Sequence, residues 1–184
     1  MKLIVAITGA SGANYAISLL KALKEKKIET YLIVSEWAEK IVKQETGLEL
    51  AEVKSLALHY FKPNDFEAAI ASSSFLVDGM VVIPCSVKTA AEIASANCSN
   101  LISRAADNML KTRKKLVVCL RETPLSAPCL ENLHKIALAG GIIFPLSPGF
   151  YHQPKELKDL SAFITGKLLD LFGIENNAFK RWGN

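Results

Sequence analysis

The sequence predicts an α/β fold built on a mainly parallel sheet. Three short apolar runs, at residues 2–7, 79–84 and 116–120, are each followed directly by a polar turn. Such runs are typical of strands that are buried on both faces of a parallel sheet. Helical patterns follow the turns, so strands and helices alternate along the chain. Because 184 residues with 50% hydrophobic content can bury one substantial core, we expect a single domain over residues 1–184.

The first strand is followed by a Thr-Gly-Ala-Ser-Gly turn at residues 8–12 and by a helix predicted from Ala13 to Lys26. A strand, a glycine turn and a helix together direct backbone N–H groups toward an anion. A turn without a ligand is the alternative, since glycines also serve plain turn geometry, and Ser11 is also suited to capping the helix. The turn is not GxGxxG, so it does not indicate a dinucleotide.

The next elements are a strand at residues 29–34 and a helix at 37–44. Ser35 lies at their junction, where a helix-capping serine and a ligand contact are both expected. A short helix at residues 48–58 and an edge strand at 59–61 follow. Residues 62–74 then predict a loop with one helical turn.

The strand at residues 79–84 repeats the opening arrangement. It leads into the turn 85–89 and a helix predicted at 90–96. Ser86 and Thr89 can donate hydrogen bonds to a phosphate or ring oxygen, and Lys88 supplies a positive charge. Because ligands of open α/β sheets bind at the carboxyl ends of the strands, the two turns are expected to face one crevice.

Charged residues mark the second half of the chain. Arg104 and Lys111 lie two turns apart on a helix predicted at 101–111, where solvated surface charge is the alternative to a ligand contact. Arg121 and Glu122 follow the strand 116–120 directly. Arginine suits phosphate or flavin oxygens, and a structural ion pair is the alternative. A helix at 130–139, a strand at 142–145 and an amphipathic helix at 155–172 complete the prediction.

Composition excludes several classes of protein. A net charge of +4 suits anionic small molecules. The sequence lacks the dense basic patch of a nucleic-acid binder. No apolar run reaches the roughly 18 residues of a membrane span, and the first residues lack a signal-peptide cleavage region, so we expect a cytoplasmic protein that does not bind membranes. Without CxxC or HExxH spacing, neither a disulfide framework nor a metal site is expected.

Six stretches resemble, in their order and spacing, the UbiX family of flavin prenyltransferases. The resemblance covers essentially the whole chain. It implies a Rossmann-like (flavodoxin-like) three-layer sandwich. The matching stretches are residues 8–12, 84–89, 104–107, 121–124, 148–154 and 181–182.

The resemblance implies transfer of a dimethylallyl group from dimethylallyl phosphate to N5 and C6 of reduced FMN. Family members need no metal for this reaction, and their product, prenylated FMN, is the cofactor of UbiD-type decarboxylases, such as one of ubiquinone biosynthesis. The family forms a tetrahedral homo-dodecamer with the FMN site at subunit contacts. We therefore expect a homo-oligomer, and we expect the tail at about 173–184 to dock on its own chain or on a neighbour.

The resemblance also implies roles for individual residues. The expected FMN contacts are Gly9, Ala10, Ser11, Ser35, Ser86, Val87, Lys88, Thr89 and Arg121. The expected contacts of dimethylallyl phosphate are Ser72, Arg104, Lys111, Tyr151, Lys167 and Trp182. The expected catalytic groups are Ser11, Glu45 and Glu122. Many family members have arginine where Lys167 stands, and lysine keeps the charge without the bidentate fork.

Two alternatives have distinct sequence signatures. Flavin-dependent cysteine decarboxylases of the same fold carry a Pro-x-Met-Asn-x-x-Met-Trp motif, whereas the methionines here are Met1, Met80 and Met109. A non-catalytic FMN-binding module would not need Arg104, Lys111, Tyr151 and Lys167 beside the flavin.

Overall fold

Strands and helices alternate along residues 1–183, which the computed structural model describes. The strands are β1 (Lys2–Ile7), β2 (Glu29–Val34), β3 (His59–Phe61), β4 (Gly79–Cys85), β5 (Lys115–Leu120) and β6 (Ile142–Ile143). The helices are α1 (Ala13–Glu25), α2 (Glu36–Thr46), α3 (Leu50–Lys54), α4 (Val87–Ala94), α5 (Leu101–Lys111), α6 (Ala127–Leu138) and α7 (Leu157–Leu171). A 3₁₀ turn at Ala69–Ala71 lies in the loop between β3 and β4.

All six strands are parallel, in the order β3-β2-β1-β4-β5-β6. The chain adds β2 and β3 on one side of β1 and then crosses back to place β4 on the other side. This reversal leaves a crevice at the carboxyl ends of β1 and β4, which is where such folds bind ligands. The predicted parallel α/β sheet is confirmed.

Two hydrophobic clusters, one on each face of the sheet, make up the core. One face packs on α4, α5 and α6, through residues such as Ile93, Ala105 and Ile136. The other packs on α1, α2 and α7, through residues such as Leu20 and Leu168. The layers are therefore helix, sheet and helix, as the three-layer prediction requires.

Several predicted element bounds differ from those of the structure. Helix α4 begins at Val87 instead of Ala90, because the Ser86 hydroxyl accepts the Thr89 N–H and caps it. Helix α6 begins at Ala127 instead of Leu130, since Ser126 caps it. Strand β6 has two residues instead of four, and α3 has five instead of eleven.

Candidate active site

Thr8 joins the two turns that form the crevice. Its hydroxyl donates to the Pro84 carbonyl at 2.7 Å and accepts the Ser86 N–H at 2.8 Å. The side chain is 2% exposed, so these bonds form away from solvent. Thr8 therefore fixes the end of β1 against the start of α4, a role that was not predicted from the sequence.

The carboxylate of Glu45 occupies the N-terminus of α1. Its Oε2 accepts the N–H groups of Gly12 at 2.9 Å and Ala13 at 2.8 Å. Burial alone would raise the pKa of Glu45, but the Ser11 hydroxyl, these N–H groups and the nearby Arg121 hold it below the ordinary value. The anion expected at these two N–H groups is therefore the protein's own side chain. Ser11 does not cap α1, because Gly12 holds the N-cap position.

Ser35 caps α2, which confirms one of its two predicted roles, and it lines the crevice, where the ligand contact stays a prediction. Its Oγ accepts the Ala38 N–H at 3.2 Å. The first turn of α2 brings Trp37 against Gly9, where an added Cβ would lie 2.8 Å from the Trp37 Cβ. A side chain at position 9 would therefore displace Trp37.

Arg121 connects the end of β5 to the opening turn. Its Nε donates to the Ser11 carbonyl at 3.1 Å, and its backbone N–H donates to the Cys85 carbonyl at 3.2 Å. Glu122 Oε1 accepts the Thr123 N–H at 2.9 Å. Among the described residues no ion pair joins Arg121 to Glu122. Both charges remain available to a ligand.

These elements enclose a cavity of about 540 Å³ at the carboxyl ends of the strands. Nine of its lining residues are predicted site residues, namely Gly9, Ala10, Ser35, Ser86, Val87, Lys88, Thr89, Arg121 and Glu122. The other eight lining residues were not predicted from the sequence, and they are Glu36, Trp37, Pro63, Asn64, Glu92, Ser99, Asn100 and Ile102. Of these, Glu92 carried a local signal, because it lies one helical turn after Lys88.

Three other predicted residues form a patch on α5 and the adjoining loop, outside the cavity lining. Arg104 Nε donates to the Ala71 carbonyl at 3.0 Å, directly before Ser72. The Asp107 carboxylate lies 4.0 Å from Arg104 Nη1 and 3.0 Å from Lys111 Nζ. The two cations therefore already share one internal counter-ion.

The remaining predicted residues lie beside the C-terminal tail, again outside the cavity lining. Tyr151 packs edge-on against Trp182 at 5.4 Å and against Phe163 at 5.7 Å between ring centroids, and Phe179 completes this C-terminal aromatic cluster. Lys167 lies on the adjacent α7, close enough to Asp170 to help lower its pKa, although the largest cause is the Arg181 hydrogen bond.

Arg181 ties the tail to the body of the chain. Its Nη1 and Nη2 donate to the two Asp170 oxygens at 2.9 and 2.7 Å. Such bidentate pairs are the stronger kind of ion pair. The tail therefore holds Trp182 beside Tyr151 within the same chain. The last residue of the predicted tail, Asn184, lies outside the described residues.

Comparison with known proteins supports a flavin site. A family model described as Flavoprotein matches residues 1–167. The flavin prenyltransferase UbiX of Methanocaldococcus jannaschii is 45% identical over 183 residues, covering 100% of this chain and 99% of the relative. The flavin prenyltransferase LpdB of Lactiplantibacillus plantarum is 48% identical, covering 98% of this chain and 97% of the relative.

Two solved structures share nearly the same backbone. AnUbiX (PadA1), in complex with FMN and dimethylallyl pyrophosphate, is 44% identical with a TM-score of 0.98, covering 100% of this chain and 97% of that chain. A dodecameric FMN-dependent UbiX-like decarboxylase from Escherichia coli O157:H7 is 42% identical with a TM-score of 0.97, covering 100% of both chains. The chain therefore belongs to the UbiX-type flavin prenyltransferases of the flavoprotein family.

Two features are absent from residues 1–183. No helix there has the length and apolar character needed to cross a bilayer. No group of three or more His, Cys, Asp and Glu side chains in the same range is placed to hold a metal ion.

Proposed function

We propose that this protein transfers a dimethylallyl group from dimethylallyl phosphate to N5 and C6 of reduced FMN. The observation that carries the proposal is the cavity at the carboxyl ends of β1 and β4, in a chain whose backbone matches that of AnUbiX with FMN and dimethylallyl pyrophosphate. Its lining includes the hydroxyl groups of Ser35, Ser86 and Thr89 and two cations, which suit a flavin. We assign FMN to this cavity, with Arg121 and Lys88 as its cationic contacts.

We further propose that a second copy of the chain completes the site. Tyr151, Lys167 and Trp182 do not line the cavity of their own chain, yet Trp182 is 81% exposed and Tyr151 42%. Large exposed aromatic side chains are enriched where proteins contact each other. The dodecameric relative has the same backbone, so we assign this chain to a homo-dodecamer.

The chemistry requires charge stabilisation and a dry enclosure. The C–O bond of dimethylallyl phosphate breaks with its electron pair on the phosphate, and cations such as Lys167 stabilise that charge. The allylic carbon bonds to N5, which loses its proton. Trp182 is suited to stabilising the cation-like fragment through its ring face. When the second bond forms, the alkene gains a proton and C6 loses one, with Glu122 or the released phosphate as the carrier.

A UbiD-type decarboxylase is the proposed recipient of the product, since prenylated FMN has no role in the transfer itself. We place the activity in the cytoplasm. The four cysteines support this compartment because all of them are free thiols, as is typical of reducing environments.

Mass spectrometry of the flavin tests the proposal. The protein is incubated with reduced FMN and dimethylallyl phosphate, and in parallel with dimethylallyl diphosphate. We expect the flavin to gain one C5H8 unit. An unchanged flavin mass with folded, FMN-bound protein would overturn the prenyltransferase assignment. Release of CO₂ from a cysteine-terminated peptide would support the decarboxylase alternative instead.

A further inference from the structure

Glu92 is a buried charge in the wall of the cavity, and none of the roles above uses it. The residue is 9% exposed. Glutamate is rarely buried to this extent unless it is paired. Its carboxylate has three donors: Lys88 Nζ at 3.1 Å, Ser99 Oγ at 2.8 Å and Asn100 Nδ2 at 3.2 Å. All four of these residues line the cavity.

Two of the three donors are fixed independently of Glu92. Asn100 caps α5, since its Oδ1 accepts the N–H groups of Ile102 at 2.9 Å and Ser103 at 3.1 Å. Ser99 directly precedes it in the same segment. Glu92 is therefore held from one side by a segment that the helix itself orders.

Lys88 is the exposed member of the group. Its side chain is 80% exposed, and the carboxylate of Glu92 is its ion-pair partner among the described residues. An exposed ion pair usually gains little, because both side chains lose freedom. Here Glu92 is already immobile, so only Lys88 is ordered by the contact. The Glu92 carboxylate thus determines where the Lys88 ammonium lies.

We propose that Glu92 is a positioning residue that holds the Lys88 ammonium at the cavity wall, so that the site binds reduced FMN more tightly than oxidised FMN. The proposal rests on the proposed function. Two-electron reduction with uptake of one proton leaves a negative charge on the pyrimidine half of the flavin. A cation held in the wall of the cavity assigned to FMN stabilises this charge, and therefore favours the reduced form over the neutral oxidised form. The prenyl acceptor is the reduced form, so this preference selects the reactive flavin.

The test measures the Kd of oxidised FMN and of dithionite-reduced FMN under anaerobic conditions, for the wild-type protein and for Glu92→Gln, Lys88→Met and the double variant. The glutamine of Glu92→Gln keeps the shape of the side chain and one acceptor for Ser99 or Asn100, but it has no charge to hold Lys88. The control is Lys43→Met, which removes a lysine from an ion pair of 2.8 Å with Glu49 outside the cavity. Thermal unfolding checks that each variant is folded.

We expect Lys88→Met to weaken the binding of reduced FMN about tenfold more than the binding of oxidised FMN. This difference corresponds to a fall of about 30 mV in the two-electron potential of the bound flavin. Glu92→Gln should do the same, and the double variant should be no worse than either, because Lys88 acts only when Glu92 holds it. Lys43→Met should leave the ratio of the two Kd values unchanged.

Three outcomes would overturn the inference while leaving the proposed function intact. Glu92→Gln could weaken both flavin forms equally, as a purely structural residue would. It could strengthen the binding of reduced FMN, as expected if Glu92 only cancels the Lys88 charge. Lys88→Met could leave the ratio of the two Kd values unchanged. This variant removes an exposed side chain, so it tests the inference even if Glu92→Gln does not fold. A wild-type protein that binds neither form would instead overturn the proposed function.

Discussion

The cavity and the C-terminal aromatic cluster differ in how complete they are within one chain. The cavity is organised by hydrogen bonds inside the chain, such as those of Thr8 and Glu45. The region of the aromatic cluster leaves large apolar side chains in solvent, with Trp182 81% exposed and Phe150 70% exposed. The cavity is thus organised within one chain, whereas the C-terminal aromatic cluster is left largely uncovered, in line with the proposal that a second copy completes the site.

The largest expected effect separates the cavity from the region of the C-terminal aromatic cluster by function. Lys167→Ala should lower the rate of prenyl transfer by about 10²- to 10³-fold, because a cation that stabilises charge on the leaving group acts mainly in the transition state. FMN binding should be unchanged, since Lys167 does not line the cavity. Single-turnover product formation and FMN titration measure the two effects.

Lys158→Ala is the matched control, since Lys158 lies on the same helix and pairs only with the exposed Glu156 among the described residues. It should leave both rate and affinity unchanged. Equal loss of FMN binding and transfer in Lys167→Ala would instead assign Lys167 a structural role.

A smaller effect is expected when a residue of the cavity is changed. Arg121→Ala should weaken FMN binding by about 10- to 100-fold, as is typical for loss of a charged hydrogen-bond donor. Equilibrium titration of FMN measures it. Arg113→Ala, outside the cavity lining, should bind FMN as the wild type does. Undiminished affinity in Arg121→Ala would place the flavin elsewhere.

The smallest effect concerns the stability of the protein, through the Glu45 carboxylate at the start of α1. The pKa of Glu45 lies below its ordinary value of 4.5, so its ionised form stabilises the fold above that pH. This stabilisation is lost as the pH falls through the lowered pKa. Glu45→Gln should therefore lower the free energy of unfolding by about 1 kcal/mol at pH 7, and by progressively less as the pH falls below about 5. Urea unfolding across this range measures the difference.

Glu131→Gln, on the exposed surface of α6, provides the control for removing one carboxylate. A stability difference between wild type and Glu45→Gln that stays constant from pH 7 to pH 3 would contradict the role of the ionised Glu45 at the start of α1.

The sequence was sufficient for features that depend on neighbouring residues. The β-branched run 29–34 predicted β2 to the residue, and Ser35 was predicted at the strand-to-helix junction that it occupies. The start of α6 had a local signal that was missed, since Ser126 is followed two residues later by Pro128, a pattern typical of a helix N-terminus.

Other features of the site could not be predicted, because their partners are remote in sequence. Thr8 and Ser86 are 78 residues apart, and Gly12 and Glu45 are 33 apart. Periodicity within one element carries no information about such contacts. The resemblance assigned Tyr151 and Lys167 to dimethylallyl phosphate, and neither residue lines the cavity of its own chain.

Complementation between two variants tests most directly whether two copies of the chain build one site. Arg121→Ala and Lys167→Ala are co-expressed with different affinity tags, and the doubly tagged oligomer is assayed for prenylated FMN. If each site takes its cavity from one copy and Lys167 from another, mixed oligomers should regain up to about one quarter of the wild-type activity. Mixed oligomers no more active than either variant alone would contradict the account.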